Sequence, residues 1–204
     1  MVVTAICLGA VGAGTTRLLT QLTQNNDSSE EEKEPLPTVG INHFDVNESV
    51  QQEKANCFSL FCRRRRENDY SLHKLTIREF GGALQAAWLT YLQGTLNRNL
   101  KGIIYVIDVS ASSRFSEAGV HLVDVVESLE RHRVAVRLLI VFTKVDLVEE
   151  SCKDRVLTEA KNLLRLDHLS RWSDFCTFDQ IEYSAITESG LSNILNWCQS
   201  LYAT

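Results

Sequence analysis

The sequence predicts an α/β domain in which a mostly parallel sheet is covered by helices on both faces. Three observations lead there. Short apolar, β-branched runs alternate with segments of helical periodicity along the chain. Its 204 residues, 44% of them hydrophobic, suffice for one domain with a sizeable buried core and divide poorly into two. The polar clusters fall at the ends of the apolar runs, where ligands of parallel sheets sit.

Taken in order, "VVTAICL" (2 to 8) reads as a central strand buried on both faces, ending in glycines. "TTRLLTQLTQ" then carries leucines at helical spacing, so a helix begins near Thr15. Residues 25 to 37, "NNDSSEEEKEPLP", are acidic and proline-closed, a composition that predicts a mobile loop. "INHFDV" (41 to 46) and "HKLTIREF" (73 to 80) alternate as strands, separated by an insertion whose arginine run would repel itself in a tight hairpin.

The rest repeats the alternation. A helix is predicted over 83 to 96, a buried strand over 102 to 110, an amphipathic helix over 114 to 132 and a second buried strand, "VRLLIVFTKVDL", over 136 to 147. A helix over roughly 153 to 166, a strand at "FDQIEYSA" and a final helix "GLSNILNWCQSLY" complete the chain.

Composition narrows the function. A formal charge of −5 gives no global basic field for nucleic acid, so an anionic ligand must be held by local geometry. The apolar stretch at 2 to 11 is too short to cross a bilayer and lacks a basic leader. Val2 stands where N-myristoylation needs glycine and "SLYAT" carries no prenylation box, so no lipid anchor is expected at either end, and six scattered cysteines suit reduced thiols in the cytoplasm.

Five segments carry the candidate chemistry. In "CLGAVGAGTTRLL", Gly9, Gly12 and Gly14 allow a tight turn that aims N–H groups inward, as a phosphate cradle needs, with Ala13, Thr15 and Arg17 beside it and Thr16 placed to offer a hydroxyl to Mg²⁺. A plain strand-to-helix turn explains that loop equally well when it is taken alone. In "FTKVDL", Asp146 can accept from the ring N–H and exocyclic amine of guanine together, which adenine does not offer. Lys144 can lay its stem along the base, and Thr143 offers a hydroxyl. Ser184 and Ala185 are small residues past the last strand, where a backbone N–H can approach a purine oxygen. Thr38 in "LPTVGIN" is placed to close over a γ-phosphate and its metal, and Gly81 and Gly82 in "REFGGAL" let backbone approach the same phosphate.

In this order, "PTVGIN", "LTIREFGG", "FTKVDL" and "SAITESGL" resemble the ADP-ribosylation-factor-like branch of the small GTPase superfamily. The resemblance covers the chain apart from the acidic loop and the 51 to 72 insertion, and treats 1 to 204 as one GTPase-like domain. It implies a six-stranded P-loop small GTPase fold, GTP or GDP and Mg²⁺ as ligands, and a switch in intracellular membrane or ciliary traffic. Effectors and regulators would meet the 38–42 and 80–90 segments.

The resemblance also exposes departures. The family's phosphate-gripping lysine falls on Thr15, its water-orienting glutamine on Ala83, and an Asp that reaches the metal through water on Glu79. Losing a charge-assisted phosphate contact weakens binding by roughly 1.5 to 3 kcal/mol without abolishing it. Intrinsic hydrolysis is expected to be very slow or absent. The alternative is a nucleotide-independent pseudo-GTPase interaction module; a phosphotransfer kinase would need a different base site. The insertion segment "CFSLFCRRRR" (57 to 66) offers basic and apolar side chains for peripheral membrane contact, or is a solvated loop. Its two cysteines lack the second ligand pair of a zinc site.

Overall fold

The computed structural model describes residues 2–23, 38–47, 74–96 and 99–203. The acidic 25–37 loop and the whole 51–72 insertion, with its 57–66 segment, lie outside the described residues.

Six strands form one sheet: β1 (Val2–Gly9), β2 (Ile41–Asn47), β3 (Lys74–Phe80), β4 (Leu100–Asp108), β5 (Val136–Thr143) and β6 (Cys176–Tyr183). Their order is β2-β3-β1-β4-β5-β6. Only β2 and β3 pair antiparallel; β1 pairs parallel with β3 and β4, and β5 parallel with β4 and β6. The sheet is thus mixed and mostly parallel, as the alternation of strands and helices requires.

The helices are α1 (Thr15–Thr23), α2 (Trp88–Thr95), α3 (Phe115–His132), α4 (Glu150–Leu163), α5 (Leu166–Trp172) and α6 (Leu191–Ser200). They divide between two cores because each strand presents alternate side chains to opposite faces. Ile6, Leu8 and Phe80 pack with Trp88, Phe115, Leu122 and Leu157 beneath α2 to α5. Ala5, Cys7, Ile77 and Ile104 pack with Leu18, Leu19, Ile194 and Trp197 beneath α1 and α6. Burial on both faces explains why β4 and β5 read as unbroken apolar runs.

Differences from the sequence reading lie mostly at ends. The helix expected over 83 to 96 is α-helical only from Trp88, because Gly82–Ala87 winds as a 3₁₀ turn. The Trp88 indole N–H donates to the Gly81 carbonyl at 3.3 Å and pins that turn to the end of β3. The helix expected over 153 to 166 begins at Glu150 and stops at Leu163; Arg165 adopts a left-handed conformation, φ 55°, and α5 follows. That short helix escaped the sequence reading because two anchors, Leu166 and Leu169, carry its burial. β6 ends at Tyr183 rather than running to 185, since the Ser184 hydroxyl accepts from the Ile186 and Thr187 amides and turns the chain.

The described cysteines Cys7, Cys152, Cys176 and Cys198 are free thiols. Among the described residues no helix is long and apolar enough to cross a membrane.

Candidate functional site

Parallel pairing brings the carboxyl ends of β1, β4, β5 and β6 to one edge of the sheet, and all five candidate segments lie there or beside it. The glycine loop leaves β1 at Gly9 and enters α1 at Thr15. Gly12 and Gly14 have φ of 79° and 89°, a region that penalises any side chain, so glycine is required at both. Within the loop the Ala13 N–H donates to the Ala10 carbonyl at 3.0 Å, and Leu18 takes the Gly14 carbonyl to begin the helix. The N–H groups of Gly12, Gly14, Thr15 and Thr16 find no acceptor among the described residues. A row of open donors at a helix N-terminus is the arrangement that holds a phosphate.

Thr15 is buried and turned inward, to the point that a Cβ on Gly9 would meet its methyl at 2.6 Å. It contributes backbone to the loop rather than a side chain reaching outward. Arg17 lies half-buried on the first turn of α1.

The turn that carries Asp146 is fastened to this loop. The Thr143 hydroxyl, buried at the end of β5, donates to the Ala13 carbonyl at 2.7 Å and lies 3.1 Å from the Ile107 carbonyl. Its oxygen is engaged with the chain's own backbone, so Thr143 joins the two loops. Lys144 is left-handed, φ 59°, and its ammonium meets Asp108 at 2.7 Å. Asp146 follows in a 3₁₀ turn, Val145–Leu147, exposed and with no hydrogen-bond partner among the described residues. The Ser184 hydroxyl is committed to its own turn, while Gln21 of α1 donates to the Ala185 carbonyl at 3.1 Å and accepts from the Tyr183 hydroxyl. Helix α1 therefore spans the edge from the glycine loop to the β6 turn.

The remaining segments meet at Glu79. This carboxylate is fully buried. It accepts from the Thr16 hydroxyl at 2.5 Å, the Thr38 hydroxyl at 3.2 Å and the Asn42 amide at 3.0 Å. Thr16 and Thr38 oxygens stand 3.1 Å apart. Neighbouring oxygens around octahedral Mg²⁺, with bonds of about 2.1 Å, stand about 3.0 Å apart. The two hydroxyls stand at that spacing and offer hard oxygens suited to the ion, while the 2.5 Å contact from Thr16 to Glu79 is a hydrogen bond within the chain. No ion pair reaches Glu79 among the described residues, and a buried anion held only by neutral donors favours a cation nearby. The same charge adds to burial, the larger cause, in raising the neighbouring Cys7 thiol well above its ordinary value.

Backbone closes the arrangement. Gly81 N–H donates to the Gly40 carbonyl at 2.9 Å, and a Cβ at Gly81 would stand 2.2 Å from the Thr38 carbonyl oxygen. A Cβ at Gly82 would lie 2.3 Å from the Val11 nitrogen. Both glycines are thus close-approach positions, one against the 38–40 segment and one against the glycine loop. Ala83 is exposed and carries nothing to orient water.

The family model for the ADP-ribosylation factor family matches residues 64–201, well over half of the chain. The chain belongs to the ADP-ribosylation factor family. It is 28% identical over 205 residues to human ADP-ribosylation factor-like protein 16, spanning 97% of this chain and 85% of that protein. Its fold is similar to that of the Arl6 BBS3 small GTPase from Trypanosoma brucei with bound nucleotide analogue GppNp, with a TM-score of 0.66, 16% identity, and coverage of 98% and 96% of the two chains. At that identity the likeness concerns fold alone.

In this ADP-ribosylation factor family member the matched span begins beyond the glycine loop and Thr38, so those segments stand on their geometry. Residues absent from the candidate set also take part. Asn42 and Glu79 build the oxygen cluster, Asp108 holds Lys144, and Gln21 ties α1 to the β6 turn. Asn42 and Gln21 carried no signal in the sequence because single amides at ordinary spacings are indistinguishable from solvated ones.

Proposed function

We propose that the protein is a guanine-nucleotide switch that binds GTP or GDP with Mg²⁺ and hydrolyses GTP very slowly or not at all by itself. The observation that carries this is the Thr143 to Ala13 hydrogen bond, which makes the Asp146 turn and the open N–H cradle one body. A guanosine phosphate placed there would have its phosphates on the amides of Gly12, Gly14, Thr15 and Thr16 and its base edge on Asp146. Ser184 and Ala185 would bound the base, and Lys144, with its ammonium held by Asp108, would offer its stem. Thr16 and Thr38 would hold Mg²⁺ beside Glu79, and the ion would neutralise phosphate charge. Gly82 backbone would border the terminal phosphate. Ala83, in place of a water-orienting side chain, offers only a methyl group there.

Effectors and regulators would read the 38–42 and 80–90 segments. Val39, 87% exposed, Ile41 and Tyr91 present apolar side chains on or next to those segments. A role in intracellular membrane or ciliary traffic rests on the sequence resemblance, and peripheral membrane contact through 57–66 on its basic and apolar composition.

One observation favours a second reading, the pseudo-GTPase interaction module. Thr16, Thr38 and Asn42 already close on Glu79 through the chain's own hydrogen bonds, so the 38–42 surface can be presented without a phosphate. Calorimetric titration with GTPγS and Mg²⁺ decides. The switch predicts binding by the wild type and, for Thr15→Lys, binding about one to two orders tighter. No wild-type binding at millimolar nucleotide, with tight binding by the variant, would establish the module reading.

A further inference from the structure

The glycine loop is gripped from outside at two carbonyls. Arg114, in the 3₁₀ turn Ser112–Arg114 ahead of α3, donates from Nη1 to the Val11 carbonyl at 2.8 Å. Thr143 donates to the Ala13 carbonyl at 2.7 Å. Among the described residues there are no cis peptide bonds, and in a trans peptide the carbonyl and the following N–H point to opposite sides of one plane. Anchoring the Val11 carbonyl therefore sets the direction of the Gly12 N–H, and anchoring the Ala13 carbonyl sets that of the Gly14 N–H. Both glycines are open around their Cβ positions, so no side-chain packing there fixes either peptide plane. The external donors supply that constraint.

Arg114 brings charge as well as geometry. Among the described residues it takes part in no ion pair. The nearby carboxylates are otherwise engaged: Glu117 accepts from Gln85 at 3.4 Å and lies 3.9 Å from His121, and Asp108 holds Lys144. A guanidinium on a carbonyl oxygen polarises the peptide and makes its N–H a stronger donor on the far side. The position where a lysine would reach the phosphates is Thr15, turned inward against Gly9.

We propose that Arg114 is a positioning residue for phosphate binding, aiming and polarising the Gly12 N–H from behind the loop and so standing in for part of the field that a lysine at position 15 would supply. The proposal rests on the nucleotide reading and adds a residue outside the phosphate-facing surface.

Displacement of fluorescent mant-GDP tests it in wild type, Arg114→Gln and Arg114→Lys, with unlabelled GDP and phosphate-free guanosine as competitors. Arg114→Gln weakens GDP about tenfold and leaves guanosine within about twofold. Arg114→Lys recovers part of the loss. In amide NMR of the nucleotide-free protein, Arg114→Gln moves the Gly12 signal and spares Gly14, whereas Thr143→Val moves Gly14. Arg114 is exposed, so the melting temperature of the glutamine variant stays near wild type. An equal fall for GDP and guanosine, or an unmoved Gly12 amide, overturns the inference while leaving nucleotide binding intact. A wild type that fails to bind GDP removes the nucleotide reading and this inference together.

Discussion

The two ends of the candidate site share one edge of the sheet and rely on opposite chemistry. At the proposed base end, recognition would fall on the single carboxylate of Asp146, exposed and without an internal partner among the described residues. At the phosphate end the side chains that would carry the task are displaced: Thr15 turns inward, Ala83 is a bare methyl, and Glu79 is buried under three donors. What remains there is mostly backbone, shaped by Gly12 and Gly14 and anchored by Arg114 and Thr143, with the hydroxyls of Thr16 and Thr38 beside it. A site made of amides keeps its form when a neighbouring side chain changes, because φ angles and carbonyl ties set it. A site made of one carboxylate has no such reserve.

The largest expected effect tests that asymmetry directly. Asp146→Ala removes a charged acceptor of two hydrogen bonds, each worth roughly 1.5 to 3 kcal/mol, and GDP affinity falls by at least about a hundredfold in mant-GDP displacement. Asp146→Asn offers an amide donor in place of an acceptor and shifts preference toward a xanthine nucleotide. A loss for Asp146→Ala smaller than that caused by Arg114→Gln would break the comparison.

Next comes Gly82→Ala. Its methyl would stand 2.3 Å from the Val11 nitrogen and has only backbone to displace, so urea unfolding shows a loss of about 1 to 3 kcal/mol. An unchanged midpoint would mean that the glycine loop and the 80–82 segment are not packed as described.

Glu79→Gln sharpens the comparison through its sign. It removes a buried charge that lacks a described counter-ion, so the nucleotide-free protein gains about 1 to 2 kcal/mol. The same change weakens the oxygen set beside Thr16 and Thr38, and the dependence of nucleotide affinity on Mg²⁺ is reduced. A destabilised apo protein would show that Glu79 draws its main support from its three donors rather than from a cation.

The smallest effect is a reference lying outside both ends. Burial pushes the Cys198 thiol on α6 up to about 12 from an ordinary 9.0. With the folded value raised, stability is fully present below the unfolded thiol pKa and is lost as pH rises from about 9 toward about 12. Urea unfolding at pH 10 against pH 8 therefore shows a fall to which Cys198 contributes on the order of 1 kcal/mol, and Cys198→Ala removes that share. Cys176, raised to about 11 by burial, adds in the same direction.

Much of this was written in local sequence. Apolar runs at 102 to 110 and 136 to 147 marked the buried strands, Gly9, Gly12 and Gly14 marked the turn, and "FTKVDL" marked a carboxylate at a strand end, because periodicity, backbone freedom and residue chemistry are properties of neighbours in the chain. Tertiary structure alone decided what those residues meet. It tied Thr143 to the glycine loop, brought Glu79 from β3 onto Thr16, Thr38 and Asn42, and laid Arg114 across to Val11, 103 residues away in sequence. A hydrogen bond depends on distance and angle in space, and for partners so far apart in the chain only the sheet register and helix packing set them.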